Sequence, residues 1–447
     1  MNNQDTVLLP GMTVASQGQI AHQTSRRAVA AAAVVNALEW YDFTVYAFFA
    51  VYLAQNFFPK SSPSTQLIQA FLAFGLGFVV RPLGAVFLGA YGDRIGRKAA
   101  LVMTIVIMAV GTLLIVVCPP YSVIGLGAPV LIVIARMLQG FSAGGEVGGA
   151  TAFLVEHAPP EKKGVYAAWL QASMGICNIL GALVATILTL LISHVHMTAW
   201  GWRIPFILGL TIAPLGLWLL QSLEETPQFQ AEQARRKLEN KPQKTPLLKI
   251  VQEYPRQLVI GFGLSILWAV STYTLIIFLP TFVQRSMHFQ SSDAFLAALI
   301  GNCFMVVGCL LSGRFSDRFG RWRTMAVGAL GLLIGVYPLF DWLSVSHTLP
   351  TLIAVQIIFC LLVAVFVGVA PSALSDIFPV EIRSTGMALS YNIAVTIFGG
   401  FAPAILTWLT ERTGGNFAPA WYVMIATLIA LLAIAAHSRS SKSGDRK

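Results

Sequence analysis

Residues 89–98 read Gly-Ala-Tyr-Gly-Asp-Arg-Ile-Gly-Arg-Lys, and residues 313–322 read Gly-Arg-Phe-Ser-Asp-Arg-Phe-Gly-Arg-Trp. Both segments join two long apolar stretches, so the same charged connection recurs at matching points of the chain. A second set of four positions repeats 220 residues apart, against 224 for the first: Glu156, Pro159, Glu161 and Lys163 return as Asp376, Pro379, Glu381 and Arg383. Two repeats with nearly the same offset predict that the chain consists of two copies of one structural unit.

The composition places both units in a membrane. Hydrophobic residues make up 56% of the 447 residues and charged residues only 11%, whereas charged residues make up roughly 25% of soluble domains. A helix needs about 20 mainly apolar residues to cross the hydrocarbon core. Twelve such segments are predicted, near residues 30–58, 66–91, 99–118, 128–155, 164–193, 203–222, 256–286, 292–315, 324–344, 350–378, 384–410 and 418–437.

The predicted fold is an all-α membrane protein with twelve transmembrane helices in two six-helix bundles related by pseudo-twofold symmetry. The predicted regions are an N-terminal tail, an N-terminal bundle, a polar linker, a C-terminal bundle and a C-terminal tail, over residues 1–29, 30–222, 223–255, 256–437 and 438–447. We expect the linker to tether the two bundles. A regulatory site in the linker is the alternative.

The distribution of basic residues predicts the orientation. With the N-terminus in the cytoplasm, 23 of the 29 Lys and Arg residues fall in cytoplasmic segments, three in external loops and three within spans or at their ends. The positive-inside rule predicts this bias for a multi-pass protein with both termini in the cytoplasm. We therefore expect the net charge of +10 to face anionic lipid and not nucleic acid.

Sequence patterns for enzymatic chemistry are missing. The five cysteines have no CxxC spacing, so packed thiols are expected rather than disulfides or metal ligands. The chain has no Gly-x4-Gly-Lys-Ser/Thr loop, and no nucleophile with a neighbouring base stands out. His194 and His196, on a predicted external loop, are expected to be solvated rather than to bind metal. We therefore expect neither an enzyme nor a bound cofactor or metal.

Ionisable side chains within the predicted spans mark the candidate site, because each costs at least ~2.5 kcal/mol deep in a bilayer and usually faces a cavity or a partner. Glu39 and Asp42 share one face of the first span. The fourth span carries Arg136, Gln139 and Glu146 at helical spacing. Arg136 and Asp42 are expected at similar depths, which makes them candidate partners.

Two interpretations of this pair remain open. A carboxylate that loses its cationic partner to an incoming anion takes up a proton more readily. Proton binding would then be coupled to substrate binding through Asp42, with Glu39 and Glu146 as further candidates. In the alternative, Arg136 and Asp42 form a fixed ion pair that holds two spans together.

Two further arginines bring the cations of the N-terminal half to three. Arg81 lies in the second span, and Arg203 lies at the outer start of the sixth. Guanidinium groups bind carboxylates bidentately and stay charged when buried, so the set favours an anionic substrate, and several carboxylates over one. The alternatives are a structural role for Arg81, which precedes Pro82, and an interfacial role for Arg203 beside Trp200 and Trp202.

The C-terminal half carries neutral candidates instead. Four of its side chains offer hydrogen-bonding groups to hydroxyl or carboxyl oxygens: Tyr273, Asn302, Tyr391 and Asn392. Helix packing is the alternative role for each of them. We expect the charges to act in the N-terminal half and shape recognition to occur in the C-terminal half.

The repeated loops are predicted to form an inner gate. The candidate gate residues are charged and lie in or opposite these loops: Asp93, Arg94, Arg97, Glu156, Asp317, Arg318, Arg321 and Asp376. Glu156 is the expected partner of Arg97, and Asp376 that of Arg321. Such ion pairs would hold the gate closed until the bundles move. A cluster of charges that only sets the topology is the alternative.

These motifs together resemble a known family. The twin loops and Arg136-x-x-Gln139-Gly140 resemble signature motifs of the major facilitator superfamily. Five motifs are similar to those of its metabolite:proton symporters: Asn-x-x-Glu-Trp-Tyr-Asp-Phe at 36–43, Arg-Pro-Leu-Gly at 81–84, Gln-Gly-Phe-Ser-Ala-Gly-Gly-Glu at 139–146, Trp-Gly-Trp-Arg-Ile-Pro-Phe at 200–206 and Leu-Glu-Glu-Thr-Pro at 223–227. The resemblance covers roughly residues 30–437 and implies a bacterial inner membrane, proton symport and import.

Within that family the substrate is expected to be an organic acid. Residues 398–403 and 411–414 look most like the citrate carriers, which favours citrate first and 2-oxoglutarate second. The chain departs from them at residues 40–43, where Trp-Tyr-Asp-Phe replaces the expected Gln-Phe-Asp-Phe. The family's osmosensing betaine and proline carriers have a long C-terminal coiled-coil extension. This chain ends about ten residues after the last predicted span, which favours the acid carriers.

The sequence therefore predicts a monomeric, proton-coupled symporter that imports a di- or tricarboxylate such as citrate by alternating access. Its expected partners are a small anionic organic acid, protons and membrane lipid, with the proton gradient as driving force. 2-Oxoglutarate, shikimate or another small acid are the alternative substrates. A ligand sensor that does not transport and an exporter of apolar compounds are the alternative functions.

Overall fold

The computed structural model describes residues 36–37, 39–95, 97–144, 160–221, 250, 252–379 and 382–444. Within these ranges the chain consists of helices joined by short turns, without a strand. This agrees with the predicted all-α fold. Helices are expected because a backbone in hydrocarbon must satisfy its polar groups internally.

The described helices of the N-terminal half are numbered α1–α6. α1 comprises residues 39–48 and Ala50–Phe57, and α2 comprises Pro63–Val79 and Arg81–Ile95. The other four are α3 (Arg97–Val117), α4 (Gly127–Ala143), α5 (Lys163–Leu191) and α6 (Arg203–Gln221). Short helical turns precede α4, α5 and α6, at Tyr121–Ile124, Pro160–Lys162 and His194–Gly201.

The helices of the C-terminal half are α7–α12. Three of them are uninterrupted: α8 (Ser291–Phe319), α9 (Arg321–Val345) and α12 (Ala418–Gly444). The other three contain a break: α7 (Pro255–Ser271, Thr272–Phe278 and Leu279–Ser286), α10 (Leu349–Val367 and Ala370–Ile377) and α11 (Arg383–Ala394, Val395–Gly400 and Ala402–Thr413).

Nine of the described helices are long and apolar enough to cross a membrane, and α6 with its preceding turn makes a tenth when that bent pair is counted as one span. The remaining two predicted spans, the first and the fourth, are α1 and the shorter apolar helix α4. Both border residues outside the described ranges. The helices thus match the predicted spans in order. The predicted linker 223–255 lies almost entirely outside the described residues.

The ends of the helices define two sides of the protein. The side of the protein that carries residues 89–98 and 313–322 is called the loop end, and it is predicted to be cytoplasmic. The opposite side is called the far end.

Two helices that start at the far end begin with the same kind of N-terminal cap. Ser62 accepts a hydrogen bond from the backbone N–H of Thr65 at 3.2 Å, and Thr348 accepts one from that of Thr351 at 3.4 Å. Such caps satisfy backbone donors that a first helical turn leaves free.

The breaks in α7 and α11 are both turns of π-helix in the middle of a span, over Thr272–Phe278 and Val395–Gly400. The two breaks pack against each other: a Cβ on Gly399 would lie 2.8 Å from the ring of Tyr273. Turns of π-helix occur frequently at functional sites. Here they place Tyr273 against the N-terminal half, where its ring centroid lies 5.4 Å from that of Phe78.

The two halves contact each other toward both ends. Near the loop end, α5 and α8 approach closely, and a Cβ on Gly313 would lie only 2.9 Å from the carbonyl oxygen of Gly164. Toward the far end, Phe48 of α1 packs against Phe295 of α8, with ring centroids 5.4 Å apart. The side chains between these two contact regions are therefore enclosed by protein.

Candidate functional site

Close packing of α2 against α4 brings two arginines together. A Cβ on Gly140 would lie 1.7 Å from the carbonyl oxygen of Gly77, and one on Gly144 would lie 1.9 Å from that of Arg81. Only residues without a side chain fit at these contacts, and small residues allow helices to approach in this way. The approach places Arg81 of α2 and Arg136 of α4 in the same buried region, between the two halves.

Arg136 is fully buried among aromatic rings. Its guanidinium carbon lies 4.4 Å from the ring centroid of Tyr46, 4.6 Å from that of Phe43 and 4.8 Å from that of Phe74. Its Nη1 donates a hydrogen bond to Gln139 Oε1 at 2.6 Å. Its Nε and Nη2 atoms are buried and have no hydrogen-bond partner within the described part of the chain.

Arg81 is buried in the same way, with 1% of its surface exposed. Its guanidinium carbon lies 4.9 Å from the ring centroid of Phe78 and 5.4 Å from that of Phe43. Its Nε and Nη1 atoms likewise lack a hydrogen-bond partner among the residues that the structure describes. Tyr273 of the C-terminal half interacts electrostatically with both Arg81 and Arg136.

A chain of hydrogen bonds connects Arg136 to Asp42. Gln139, which receives a hydrogen bond from Arg136, donates one from Nε2 to Thr112 Oγ1 at 2.9 Å. Thr112 in turn donates to Asp42 Oδ2. Arg136 and Asp42, the candidate partners, interact electrostatically. Within the described residues their charged atoms form no salt bridge, because Gln139 and Thr112 lie between them.

Of the two remaining acidic candidates of this region, one lies within the described residues and one lies outside them. Glu39 is buried one helical turn before Asp42, with 5% of its surface exposed. Its Oε1 has no hydrogen-bond partner within the described residues, and Arg81 acts on it electrostatically. Glu146 lies outside the described residues.

Arg203 is not part of this group. Its guanidinium donates to three backbone carbonyls at the far end, those of Val116 at 3.0 Å, Ala199 at 3.3 Å and Cys118 at 3.5 Å. Its guanidinium carbon also lies 4.3 Å from the ring of Trp202. Arg203 therefore joins the ends of α3 and α6, which corresponds to the interfacial alternative, and the expected cluster of three cations contains two.

The structure separates the four neutral candidates of the C-terminal half. Tyr273 and Tyr391 both interact electrostatically with Arg81, and Tyr391 also packs against Trp268 with ring centroids 4.5 Å apart. These two tyrosines therefore face the arginine region.

The two asparagines make different contacts. Asn392 Nδ2 donates across the interface to the carbonyl oxygen of Gly144 at 3.2 Å. Asn302 is buried in α8 and donates to the carbonyl oxygen of Ala298 in its own helix at 2.8 Å. Asn392 thus joins the two halves next to Arg81, whereas the hydrogen bond of Asn302 stays within α8.

The loop end contains an ion pair and a helix cap. Arg321 and Asp376 form the predicted ion pair, between α9 and α10. Asp317 accepts hydrogen bonds from the backbone N–H groups of Gly164 at 2.8 Å and Val165 at 3.1 Å, so a carboxylate of the C-terminal half caps α5 of the N-terminal half. Arg318 is exposed, and its guanidinium carbon lies 5.4 Å from the ring of its neighbour Phe319. Glu156 and the side chains of Asp93, Arg94 and Arg97 lie outside the described part of the structure.

A cavity of about 210 Å³ opens between the halves at the far end. Its lining includes Thr281, Arg285 and Glu411 of the C-terminal half and Ser64 of the N-terminal half. Arg285 also donates to the carbonyl oxygen of Pro63 at 3.2 Å, which joins the halves at this end.

Sequence reasoning missed Thr112 and the phenylalanine rings around the arginines. Thr112 is a single hydroxyl in an apolar span, and such a side chain commonly satisfies itself on its own helix. Here the carbonyl oxygen of Met108 lies 3.1 Å from Oγ1 as a second acceptor beside Asp42. Phe74 and Phe78 follow each other at one helical turn on α2, three residues before Arg81. That spacing could have predicted that aromatic rings line the face of α2 next to Arg81.

Two bundles of membrane-spanning helices closed around buried arginines and carboxylates define a membrane transporter. A family model described as "Sugar (and other) transporter" matches residues 28–437. The citrate-proton symporter of Salmonella typhi is 36% identical over 400 residues, which cover 90% of this chain and 91% of that protein. The proline/betaine transporter of Escherichia coli (strain K12) is 35% identical over 435 residues, covering 95% and 85%.

Among solved structures, the crystal structure of a D-xylose-proton symporter matches with a TM-score of 0.73 and 20% identity, covering 91% of this chain and 96% of that one. The chain belongs to the major facilitator superfamily and, within it, to the metabolite:proton symporters. The predicted family and twelve-helix fold are confirmed, as is the prediction that the protein is not an enzyme. The citrate and proline/betaine relatives are equally similar, so identity does not select between their substrates.

Proposed function

We propose that this protein imports a small carboxylate together with protons, with citrate as the first candidate substrate. The observation that carries the proposal is the pair Arg81 and Arg136, two buried guanidinium groups with unused donor atoms among the described residues. Both sit where the two halves meet, which is where alternating access requires the substrate to bind.

The energetics of the two arginines favour an anion between them. A buried charge that lacks its partner destabilises a protein by about 3–5 kcal/mol, and cation–π contacts offset only about 0.5–2 kcal/mol of that. Arg81 also repels Arg136 electrostatically. A bound carboxylate relieves this repulsion and accepts bidentate hydrogen bonds from the free donors. A di- or tricarboxylate engages both arginines at once.

The aromatic rings distinguish an acid from a betaine. A quaternary ammonium group is recognised by open aromatic faces. Here the guanidinium of Arg136 already occupies the faces of Phe43, Tyr46 and Phe74, and that of Arg81 lies over Phe78. This arrangement favours carboxylate substrates over the zwitterions named for the proline/betaine relatives.

Coupling to protons follows from the hydrogen-bond chain. A carboxylate bound to the free donors of Arg136 neutralises its guanidinium charge, which weakens the hydrogen bond to Gln139 and with it the chain through Thr112 to Asp42. Asp42 then loses electrostatic support for its charge, and a proton neutralises it. Release of substrate restores the chain and expels the proton. Glu39, one turn away, is the second carboxylate for this role.

The protein is assigned to a bacterial inner membrane, with both termini in the cytoplasm. In this orientation the loop end forms the inner gate of the transport cycle. The cap that Asp317 forms on α5 joins the two halves, and the ion pair of Arg321 with Asp376 braces the helices beside it. Opening toward the cytoplasm requires the cap to break. The matching residues of the first loop, Asp93, Arg94 and Arg97, are assigned to the same gate by the repeat.

Flux into proteoliposomes tests this function. We expect radiolabelled citrate to accumulate when the outside is made acidic and a protonophore to abolish that accumulation. Unlabelled 2-oxoglutarate and shikimate are the informative competitors, with proline and betaine in parallel. Inhibition by proline or betaine alone would reject the acid substrate. Binding of citrate without flux would identify a sensor.

A further inference from the structure

A small cavity inside the N-terminal half reaches Asp42, and its lining includes neither Arg81 nor Arg136. It has a volume of about 30 Å³ and lies between α1, α3, α4 and α6. A buried water needs roughly 10–15 Å³ and several polar partners. The polar side chains of the lining supply such partners: Glu39, Asp42, Thr104, Thr112 and Ser142.

The two carboxylate oxygens of Asp42 have different surroundings. Oδ2 accepts the hydrogen bond from Thr112 and lies 3.5 Å from Gln139 Nε2, so it belongs to the chain that leads to Arg136. Oδ1 is buried and has no hydrogen-bond partner among the described residues. On that side the neighbour is Gly209 of α6, where a Cβ would lie 2.7 Å from Oδ1. The glycine therefore keeps Oδ1 accessible from the cavity.

The polar lining extends from Asp42 toward the loop end. Glu39 lies one turn closer to that end on α1. Thr104 lies two turns into α3 from the loop end, and its carbonyl oxygen accepts a hydrogen bond from Ser142 at 2.8 Å. On the other side, Ile105 and Ala213 line the cavity and also belong to a separate apolar cluster between α3 and α6. The cavity thus has one polar and one apolar wall.

We infer that protons leave Asp42 through this cavity, by way of water held between Glu39, Thr104 and Ser142, and that they do not share the substrate's path between the two halves. The inference rests on the proposed proton coupling and deepens it. One proton passes from the protonated carboxyl Oδ1 to water, water releases a proton toward the loop end, and Asp42 is left as the carboxylate. The substrate meanwhile leaves from the arginine side.

The charged and titratable groups around Asp42 are consistent with separate paths for the proton and the substrate. Glu39 and Tyr41 of α1 and Arg136 of α4 interact with it electrostatically. The described cavity walls from α3 and α6 carry hydroxyl groups, glycine and apolar side chains without a charge. A proton leaving through this side therefore passes Glu39 and no cation of the described lining.

The test fills the cavity without altering a proton-binding group. Ala109 of α3 lines the cavity and is half-buried, so Ala109→Phe places a ring where water would stand. We expect citrate uptake driven by a pH gradient to fall by about tenfold or more, since proton transfer through water is removed. Exchange of internal for external labelled citrate requires no net proton release, so we expect it to stay near the wild-type rate. Ala435→Phe, on an exposed position of α12, is the matched control for the substitution.

Two results would overturn the inference. Equal loss of net uptake and exchange would mean that the ring distorts the binding site, and unchanged net uptake would mean that protons use another path. If Ala109→Phe does not accumulate in the membrane, Ala213→Leu on the opposite wall provides the same comparison. Wild-type citrate flux that does not depend on the pH gradient would instead reject the proposed function itself. The wild-type flux is therefore measured before any variant.

Discussion

Asp317 accepts a hydrogen bond from the backbone N–H of Gly164 at 2.8 Å and thereby caps, from the C-terminal half, a helix of the N-terminal half. The adjacent N–H, of Val165, binds the second carboxylate oxygen at 3.1 Å. A negative charge at a helix N-terminus is stabilised by the helix dipole as well as by these hydrogen bonds. In the proposed gate this contact exists only while the loop end is closed, so we expect its strength to contribute to the balance between closed and open states.

Asp317→Asn is expected to shift that balance toward the open state by roughly fivefold, because about 1 kcal/mol of charge–dipole stabilisation is removed while the side chain keeps its size. Pulsed electron paramagnetic resonance between spin labels at Lys162→Cys and Arg323→Cys measures the change. Both positions are exposed near the loop end and lie in opposite halves. The background carries Cys303→Ala, since the other four cysteines are buried.

Asp293→Asn is the control for that experiment. Asp293 lies in the first turn of the same helix, α8, but at the far end. It should leave the label distances unchanged. A distribution for Asp317→Asn that matches the control would remove the cap from the gating mechanism.

Arg136→Lys should raise the citrate concentration for half-maximal uptake by about tenfold or more. Lysine keeps the charge but loses the planar fork that binds a carboxylate bidentately, and a hydrogen bond to a charged group contributes about 1.5–3 kcal/mol. Initial rates in proteoliposomes measure the effect. Arg203→Lys is the matched control, because Arg203 contacts backbone carbonyls at the far end. A larger effect at Arg203 than at Arg136 would contradict the site.

Thr112→Val should weaken proton coupling by about tenfold in the citrate accumulation ratio, since it removes a hydrogen bond to a carboxylate at nearly constant volume. The comparison is with Thr186→Val. Thr186 is also a buried threonine and donates to the carbonyl oxygen of Ala182 in its own helix at 2.7 Å, but it contacts no carboxylate among the described residues. The accumulation ratio and the exchange rate are measured together. Equal behaviour of the two variants would exclude Thr112 from the coupling chain.

Gly140→Ala should destabilise the N-terminal half by about 1–3 kcal/mol, the usual effect of overpacking. The added Cβ would meet the carbonyl oxygen of Gly77, which is backbone and cannot rotate away. Thermal unfolding of the purified protein in detergent measures the loss. Gly415→Ala is the control, because the nearest atom to its Cβ would lie 3.7 Å away. A melting temperature for Gly140→Ala equal to that of the control would show that α2 and α4 can separate without loss of stability.

Much of the fold could be read from local sequence. The spans follow from apolar length, the duplication from residues 89–98 and 313–322, and the ion pair of Arg321 with Asp376 from the repeat. These features depend on neighbours along the chain or on comparison of two segments. The breaks in α7 and α11 were not predicted, because no proline or polar run marks Thr272–Phe278 as π-helix.

The candidate site was predicted in part. Glu39, Asp42, Arg81 and Arg136 were selected because a charge in an apolar span needs a partner or a cavity, and the structure buries all four. The role of Arg203 could not be decided from its position, since a cation at the end of a span can face either the interior or a neighbouring helix end.

The sequence was thus sufficient to predict a duplicated helical membrane protein with buried charges, from its hydropathy, its charge distribution and its repeat. The free energy of placing a segment or a charge in lipid depends mainly on that segment's own residues. The partners of those charges depend on how far each helix is rotated and how closely it approaches the next. Gly77 and Gly140 set the approach of α2 to α4, and that approach brings Arg81 beside Arg136. The same geometry inserts Gln139 and Thr112 between Arg136 and Asp42, a relationship across three helices that spacing along one chain does not contain.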